Sequence, residues 1–275
     1  IMYRTNAQSR ALEEAFIRAG LPYRLVGAQR FYGRREVKDI IAYLRLIHNP
    51  RDDVSFGRVI NVPKRAIGRT TQLKIQQYAQ QIGFSSAETV MLLATDPGMQ
   101  NPFSGRALSA LNRFGNLLNG WITIRDTLSV GELLDLVLEQ IDYRTFIDDG
   151  TPEGASRWEN VVELRGVAGE ADDTTLTDFL EQVALVADAD RTEGGPNAPT
   201  LLTLHAAKGL EFPIVFITGV EDGILPHSRS LDDMEEMAEE RRLIYVGLTR
   251  AEDRVYLTHT FRRTLWGNSD VAVPS

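Results

Sequence analysis

Residues 201–227, LLTLHAAKGLEFPIVFITGVEDGILPH, constrain the fold more than any other stretch of this 275-residue chain. The pattern predicts a short apolar strand at 201–204 and a polar turn carrying His205, Lys208, Gly209 and Glu211. A second buried strand follows at 214–218, between Pro213 and Gly219. Continuous apolar runs of this kind belong to strands covered on both faces, hence to a parallel sheet in an α/β protein. Joined by a charged, glycine-containing loop, they place those side chains at a strand end, where an open α/β sheet keeps its ligand crevice. The same residues also suit a plain surface turn, with Gly209 supplying a positive φ and Lys208 and Glu211 solvated.

The start of the chain repeats the theme. Residues 1–4 read as the end of a strand. Leu12, Ala15, Phe16 and Ala19 give residues 6–19 a helical stripe that stops at Gly20, and 23–26 form another strand, a βαβ-like opening. From Ala28 the pattern becomes purely helical. Val37, Ile40, Ile41, Leu44 and Ile47 line one face of a helix ended by Asn49-Pro50. Pro63 and Gly68 then bracket a basic turn with Lys64, Arg65 and Arg69, leading into a helix whose N-terminal N–H groups and dipole suit a phosphate. A plain helix-turn-helix joint has the same appearance. Leu108, Leu111, Leu118 and Trp121 mark a further core-facing helix, and Ser129 with Glu132, Ser156 with Glu159 and Thr175 with Asp178 mark helix starts. The linker 190–199, DRTEGGPNAP, precedes the return to strands. The run 231–254 has its acidic residues first and its arginines later, as a helix dipole favours, and a last strand occupies 255–258 before a basic, aromatic tail. Residues 28–195 are thus expected to form a helical insertion within one α/β domain built from 1–27 and 196–275.

Charge is unevenly spread. Residues 1–70 hold 14 Lys/Arg against 6 Asp/Glu, a local +8, so with a total of −8 the remainder carries −16. Such a basic region is the footprint that a polyanion needs. Residues 148–193, with 13 acidic side chains against 3 basic, repel DNA and are expected to face solvent or a protein. The chain has no cysteine, which excludes disulfides and thiolate metal sites and fits a reducing cytoplasm. No apolar run nears the roughly 20 residues that span a bilayer, and the first residues are no signal peptide. Because the chain begins inside a strand, it is expected to be part of a longer polypeptide.

The order of residues closely resembles a known family. TLHAAKGLEFPIVFITGVEDGILPH and EERRLIYVGLTRAEDRVYLT look like motifs V and VI of superfamily 1 DNA helicases of the UvrD/PcrA/Rep type, and YRTNAQSRALEEAFIRAGLPYRLVG resembles the segment that precedes them. The resemblance implies a RecA-like motor domain (2A) built from both chain ends and interrupted by a helical 2B insertion. It implies ATP-dependent 3′ to 5′ translocation on single-stranded DNA and duplex unwinding in repair or replication.

By the same resemblance, Arg250 is the catalytic arginine that senses the γ-phosphate of ATP, and Glu211 contacts the ribose. Arg4, Asn6, His205, His227 and Trp266 lie on the single-stranded DNA track, with Thr203 nearby; the family commonly has phenylalanine at position 266. Lys64, Arg65, Gly68 and Arg69 form the turn that grips duplex DNA. There the family reads Gly-Ile-Gly, whereas this chain has Ala66-Ile67-Gly68. The chemistry suits these residue types: a guanidinium fork matches phosphate oxygens, and an exposed aromatic ring stacks on a base. The sequence contains neither a G-x-x-x-x-G-K-[ST] loop nor an acidic strand for magnesium, so ATP and Mg²⁺ are expected to be held mainly by an N-terminal motor domain, leaving this piece alone inactive. Repair proteins are expected partners, a membrane is not, and no metal site is expected. Two alternatives are a DNA-binding or protein-interaction module that has kept the scaffold without motor activity, and the helicase subunit of a recombination helicase-nuclease.

Overall fold

The computed structural model describes residues 1–170, 174–189, 195, 197–265, 268–271 and 273–275. Five strands, β1 (Met2–Tyr3), β2 (Arg24–Val26), β3 (Thr200–Thr203), β4 (Phe212–Thr218) and β5 (Ala251–Thr258), form one sheet in the order β2-β3-β1-β4-β5. Every neighbouring pair is parallel. The two ends of the sequence are interleaved: Met2 lies opposite Leu202 on one side and Ile217 on the other. The chain divides into two compact units, Ile1–Arg34 with Ala184–Ser275 and Arg35–Val183.

In the α/β unit, successive residues of a strand point to opposite faces, and β1 shows it. Tyr3 packs with Tyr23 and Leu201 against Leu12, Phe16 and Ile17 of helix α1 (Ser9–Arg18). Met2 packs on the other face with Leu202, Leu204, Val215 and Ile217. The expected stripe on α1 needs correction, because Ala15 and Ala19 are exposed while Glu13 is buried. Glu13 accepts hydrogen bonds from the Ser9 hydroxyl, the Tyr23 hydroxyl (3.4 Å) and the Phe31 amide (3.3 Å), and it faces Arg34 at 4.0 Å. A buried carboxylate is tolerated only with such partners.

The other unit is helical. Its elements are α2 (Arg35–His48), α3 (Asp53–Val59), α4 (Arg69–Ile82), α5 (Ser86–Thr95), α6 (Gly105–Ile124), α7 (Val130–Gln140), α8 (Tyr143–Ile147), α9 (Pro152–Glu170) and the first part of α10 (Leu176–Ala189). The stripe on α2 is buried as its spacing requires, and Tyr43 meets Trp121 of α6 edge-on at 5.9 Å. Ser129 and Glu132 do form a capping box. The Thr175 hydroxyl accepts the amide of Asp178 at 3.2 Å. The expected start at Ser156 is displaced, however: Ser156 and Glu159 lie inside α9. There Thr151 acts as the cap, accepting the Gly154 amide at 3.0 Å, and Pro152 follows at the first helical position, where its missing N–H costs nothing.

The return to the sheet brings α11 (Met234–Leu248), which adds Leu243 and Ile244 to the core on the Met2 face. Two more expectations change here. Residues 251–254 belong to β5 rather than to the helix, because pairing with β4 begins at Phe212 and Ala251. Two further strands, β6 (Arg262–Leu265) and β7 (Asn268–Val271), pair antiparallel where only a tail was expected. Among the described residues, no helix is long and apolar enough to cross a membrane.

Helices α5 and α6 approach closely at Gly115, where an added Cβ would lie 2.3 Å from the Val90 carbonyl oxygen and 2.9 Å from Ala94 Cβ. Gly115→Ala is therefore expected to lower the unfolding free energy by roughly 1–3 kcal/mol in urea denaturation. Exposed Gly57 in α3 has open space around it, and Gly57→Ala is expected to raise stability by up to about 1 kcal/mol. Stabilisation by both changes would contradict the close approach of α5 and α6.

Candidate functional site

All five strands run the same way, so the sheet has one edge where strands end and another where they begin. Residues just after β1, β3 and β4 gather at the first. Arg4 follows β1 and pairs with Glu240 of α11: its Nε donates to both carboxylate oxygens at 3.0 Å and its Nη2 donates to Oε1 at 2.7 Å. Glu240 also accepts the backbone amide of His227 at 3.2 Å, joining the loop after β4 to the same carboxylate. The Nδ1 of His227 accepts the Arg229 amide at 3.3 Å and opens a short 3₁₀ turn, Ser228–Ser230. His205 is exposed after β3, where the Thr203 hydroxyl accepts the Ala206 amide at 3.2 Å. Asn6 begins a 3₁₀ turn, Asn6–Gln8, and its Oδ1 is buried with no hydrogen-bond partner among the described residues.

The electrostatics of this edge follow from those contacts. Burial pushes the Glu240 carboxyl up, yet the hydrogen bonds and charge of Arg4, with the His227 amide, outweigh it and hold the group below the usual carboxylate range. Partial desolvation, then the neighbouring Arg4 charge, holds His205 below its ordinary 6.5, with Glu240 pulling the other way.

At the opposite edge stand Glu211, just before β4, and Arg250, just before β5. The Phe212 amide donates to the Arg250 carbonyl at 2.9 Å, which places the two residues side by side. The Arg250 fork is laid out by its Nε on the Val246 carbonyl (3.1 Å), its Nη1 on the Leu210 carbonyl (3.3 Å) and its Nη2 on the Thr249 hydroxyl (3.2 Å). Glu211 is exposed and has no hydrogen bond or ion pair among the described residues. The loop 204–211 thus does not collect its polar residues at one strand end, as its sequence suggested. It runs from one sheet edge to the other, leaving His205 at the first and Glu211 at the second.

The basic turn lies in the helical unit. Lys64, Gly68 and Arg69 are exposed, and Gly68 is the N-cap of α4. Arg65 is different. Its Nη1 approaches the carbonyls of Val59, Ile60, Val62 and Pro63 at 2.9–3.3 Å, its Nη2 donates to the Tyr43 hydroxyl, and the guanidinium lies 5.0 Å from the Phe114 ring centroid. It builds the turn from inside. Ala66 takes φ of 59°, the left-handed region that glycine occupies without strain. Trp266 lies outside the described residues.

Sequence reasoning passed over Glu240. Its signal was present: 240, 243, 244 and 247 recur at helical spacing, and Leu243, Ile244 and Gly247 face the core, so a glutamate there needs a partner. Glu221, 1% exposed, was also passed over; it accepts the Thr260 amide at 2.8 Å and braces the loop that carries His227. Among the described residues no group of three or more His, Asp or Glu is placed to hold a metal ion.

A family model described as the UvrD-like helicase C-terminal domain matches residues 1–98 and 112–262. The chain is 45% identical over 285 residues to ATP-dependent DNA helicase PcrA of Bacillus subtilis, covering 98% of this chain and 38% of that protein. It is 43% identical over 289 residues to ATP-dependent DNA helicase UvrD1 of Mycobacterium tuberculosis (strain ATCC 25618 / H37Rv), covering 97% and 37%. PcrA of Staphylococcus aureus (strain Mu50) is 42% identical over 284 residues, covering 100% and 38%. The chain therefore spans 37–38% of the length of these relatives.

Two outcomes follow from the geometry. Arg65→Ala strands several carbonyls and is expected to cost roughly 2–4 kcal/mol, whereas exposed Lys64→Ala stays within about 0.5 kcal/mol, both read from urea midpoints. Equal effects would remove Arg65 from its structural role. His205 is expected to titrate below 6.5 by NMR, and Arg4→Met to raise its pKa. Because the folded pKa lies below the unfolded one, the stability linked to His205 is present above pH 6.5 and lost as pH falls through 6.5 toward the folded value. His205→Gln should reduce that loss; an unchanged acid slope would contradict the desolvation of His205.

Proposed function

The chain belongs to the UvrD-like superfamily 1 DNA helicases, as their C-terminal portion, and on that premise we propose that its α/β unit is the RecA-like second motor domain, 2A, of an ATP-dependent DNA helicase. In this reading the helical unit is the inserted 2B domain. The intact protein translocates 3′ to 5′ along single-stranded DNA and unwinds duplex in repair or replication, in the cytoplasm. One observation carries the proposal: Glu211 and Arg250 stand side by side at the edge where strands begin, while Arg4, Asn6, His205 and His227 stand where strands end. A motor needs two faces, one for the nucleotide and one for the strand that it moves, and a parallel sheet separates them by the length of its strands.

ATP, with Mg²⁺, supplies the phosphoanhydride cleavage that drives movement and is held mainly by a preceding motor domain. The phosphate-binding loop that such a domain requires does not occur in this sequence. The residues at the strand-start edge suit what is left to do. Glu211 offers an exposed carboxylate able to accept sugar hydroxyls. Arg250 is held through three of its N–H groups, and the remaining donors serve negative charge developing on a phosphate. At the other edge, Arg4 and Asn6 bind the DNA backbone, His205 and His227 line the track, and Trp266 stacks on a base. In the helical unit, exposed Lys64, Gly68 and Arg69 contact duplex DNA, while Arg65 shapes the turn that presents them.

Arg250→Ala in the intact protein is expected to lower DNA-stimulated ATP hydrolysis by roughly 10³-fold or more and to abolish unwinding, with affinity for single-stranded DNA within about twofold of wild type. ATPase turnover with saturating DNA, measured beside oligonucleotide binding, checks this; near-normal turnover would refute the assignment.

A further inference from the structure

We propose that Glu240 is the positioning residue for strand binding: its carboxylate fixes the inner side of the Arg4 fork and the backbone of His227, and so presents the outer N–H groups of Arg4 to a phosphate of single-stranded DNA. This rests on the reading that the edge where strands end carries the DNA. Glu240 touches no ligand itself. It acts through the two residues that it holds.

The geometry argues for presentation. Glu240 is 5% exposed and its oxygens are filled from two sides, by three bonds from Arg4 and one from the His227 amide. Arg4 is not buried to the same degree: its side chain keeps 21% exposure against 6% for that of Glu240. A guanidinium has five N–H donors, and here Nε and one N–H of Nη2 are spent on the carboxylate. The Nη1 pair and the second Nη2 hydrogen have no partner among the described residues. One side of the fork is locked into the protein and the other is left open, as bidentate recognition of a phosphate requires.

The same carboxylate sets His227. By accepting that residue's amide it anchors the start of the 3₁₀ turn, and there Nδ1 accepts the Arg229 amide. With Nδ1 accepting, the neutral ring carries its proton on Nε2. For stability alone, an apolar pair of similar volume would serve as well or better, since burying an ion pair costs desolvation that its attraction barely repays. What an apolar pair lacks is the directional hold on a guanidinium.

Bare electrostatics makes the opposite forecast, which renders the proposal testable. Glu240 is a negative charge beside a polyanion site, so removing it should tighten DNA binding if charge alone mattered. Positioning requires the reverse. In the intact protein, the dissociation constant for a short fluorescently labelled oligothymidylate would be measured for Arg4→Ala, Arg4→Lys, Glu240→Gln and the Arg4→Ala/Glu240→Gln double variant. Arg4→Ala is expected to weaken binding about tenfold or more, as loss of a charged hydrogen bond implies. Glu240→Gln, which can still accept the His227 amide, is expected to weaken binding severalfold. The DNA concentration for half-maximal ATPase should rise by the same factor, with turnover at saturating DNA nearly unchanged. The double variant should bind no worse than Arg4→Ala, because the two residues act as one. Arg4→Lys, which keeps the charge but loses the fork, should be nearly as weak as Arg4→Ala, a comparison that holds even if Glu240→Gln folds poorly. Unchanged or tighter binding by Glu240→Gln, additive losses in the double variant, or rescue by Arg4→Lys would overturn the positioning role. An undiminished affinity in Arg4→Ala would instead overturn the strand-binding reading, and the proposal with it.

Discussion

Parallel pairing of β1 between β3 and β4 is the constraint on which the rest of the α/β unit depends. The Leu202 amide donates to the Ile1 carbonyl at 3.1 Å and the Leu204 amide to the Tyr3 carbonyl at 2.8 Å, tying the first residues of the chain to residues some 200 positions later. That ladder sends Arg4, His205 and the β4 loop out at one edge. Their polar groups converge there because the strands beneath them are in register, and the same register brings Phe212 against Ala251 and thus Glu211 beside Arg250 at the other edge. Helix α11, capped by Asp233, starts beyond one edge at Met234 and ends at Leu248 just before Arg250. At roughly 1.5 Å per residue it covers about 20 Å, and its middle carries the carboxylate that holds Arg4. One rigid element therefore reaches both clusters.

The helical unit solves a different problem. Its basic turn places charge at the surface while its own backbone needs satisfying, and Arg65 meets the second need by gathering four carbonyls around one guanidinium nitrogen. Ala66 accepts a left-handed conformation in the same turn, so the shape is kept although the first glycine of the familiar pattern is replaced. Positive charge in a sequence thus divides by burial into what builds a site and what is left to bind.

The legible parts of this chain were those where a period decides. Apolar runs announced the strands around 201–204 and 214–218, but the second was expected to be buried throughout and β4 buries only Val215 and Ile217, leaving Ile214 and Phe216 exposed. The 3.6-residue stripe on α2 announced its buried face. Legibility failed where a long-range partner overrode the local pattern. Glu13 is buried because Ser9, Tyr23, Phe31 and Arg34 converge on it, and no spacing within α1 reveals those partners. Residues 251–254 read as the polar end of a helix and become strand because β4 offers a neighbour to pair with. The edges were misjudged for the same reason: a list of polar residues in the loop 204–211 does not say that the loop crosses the full height of the sheet.

The proposed separation of nucleotide and strand between opposite sheet edges is tested most directly by solving the intact protein with a non-hydrolysable ATP analogue and an oligothymidylate bound together. The Arg250 fork is expected within hydrogen-bonding distance of the γ-phosphate where strands begin, and Arg4 on a DNA phosphate where they end. Both ligands at one edge, or an Arg250 fork that bonds only the Val246 and Leu210 carbonyls with nucleotide present, would contradict it.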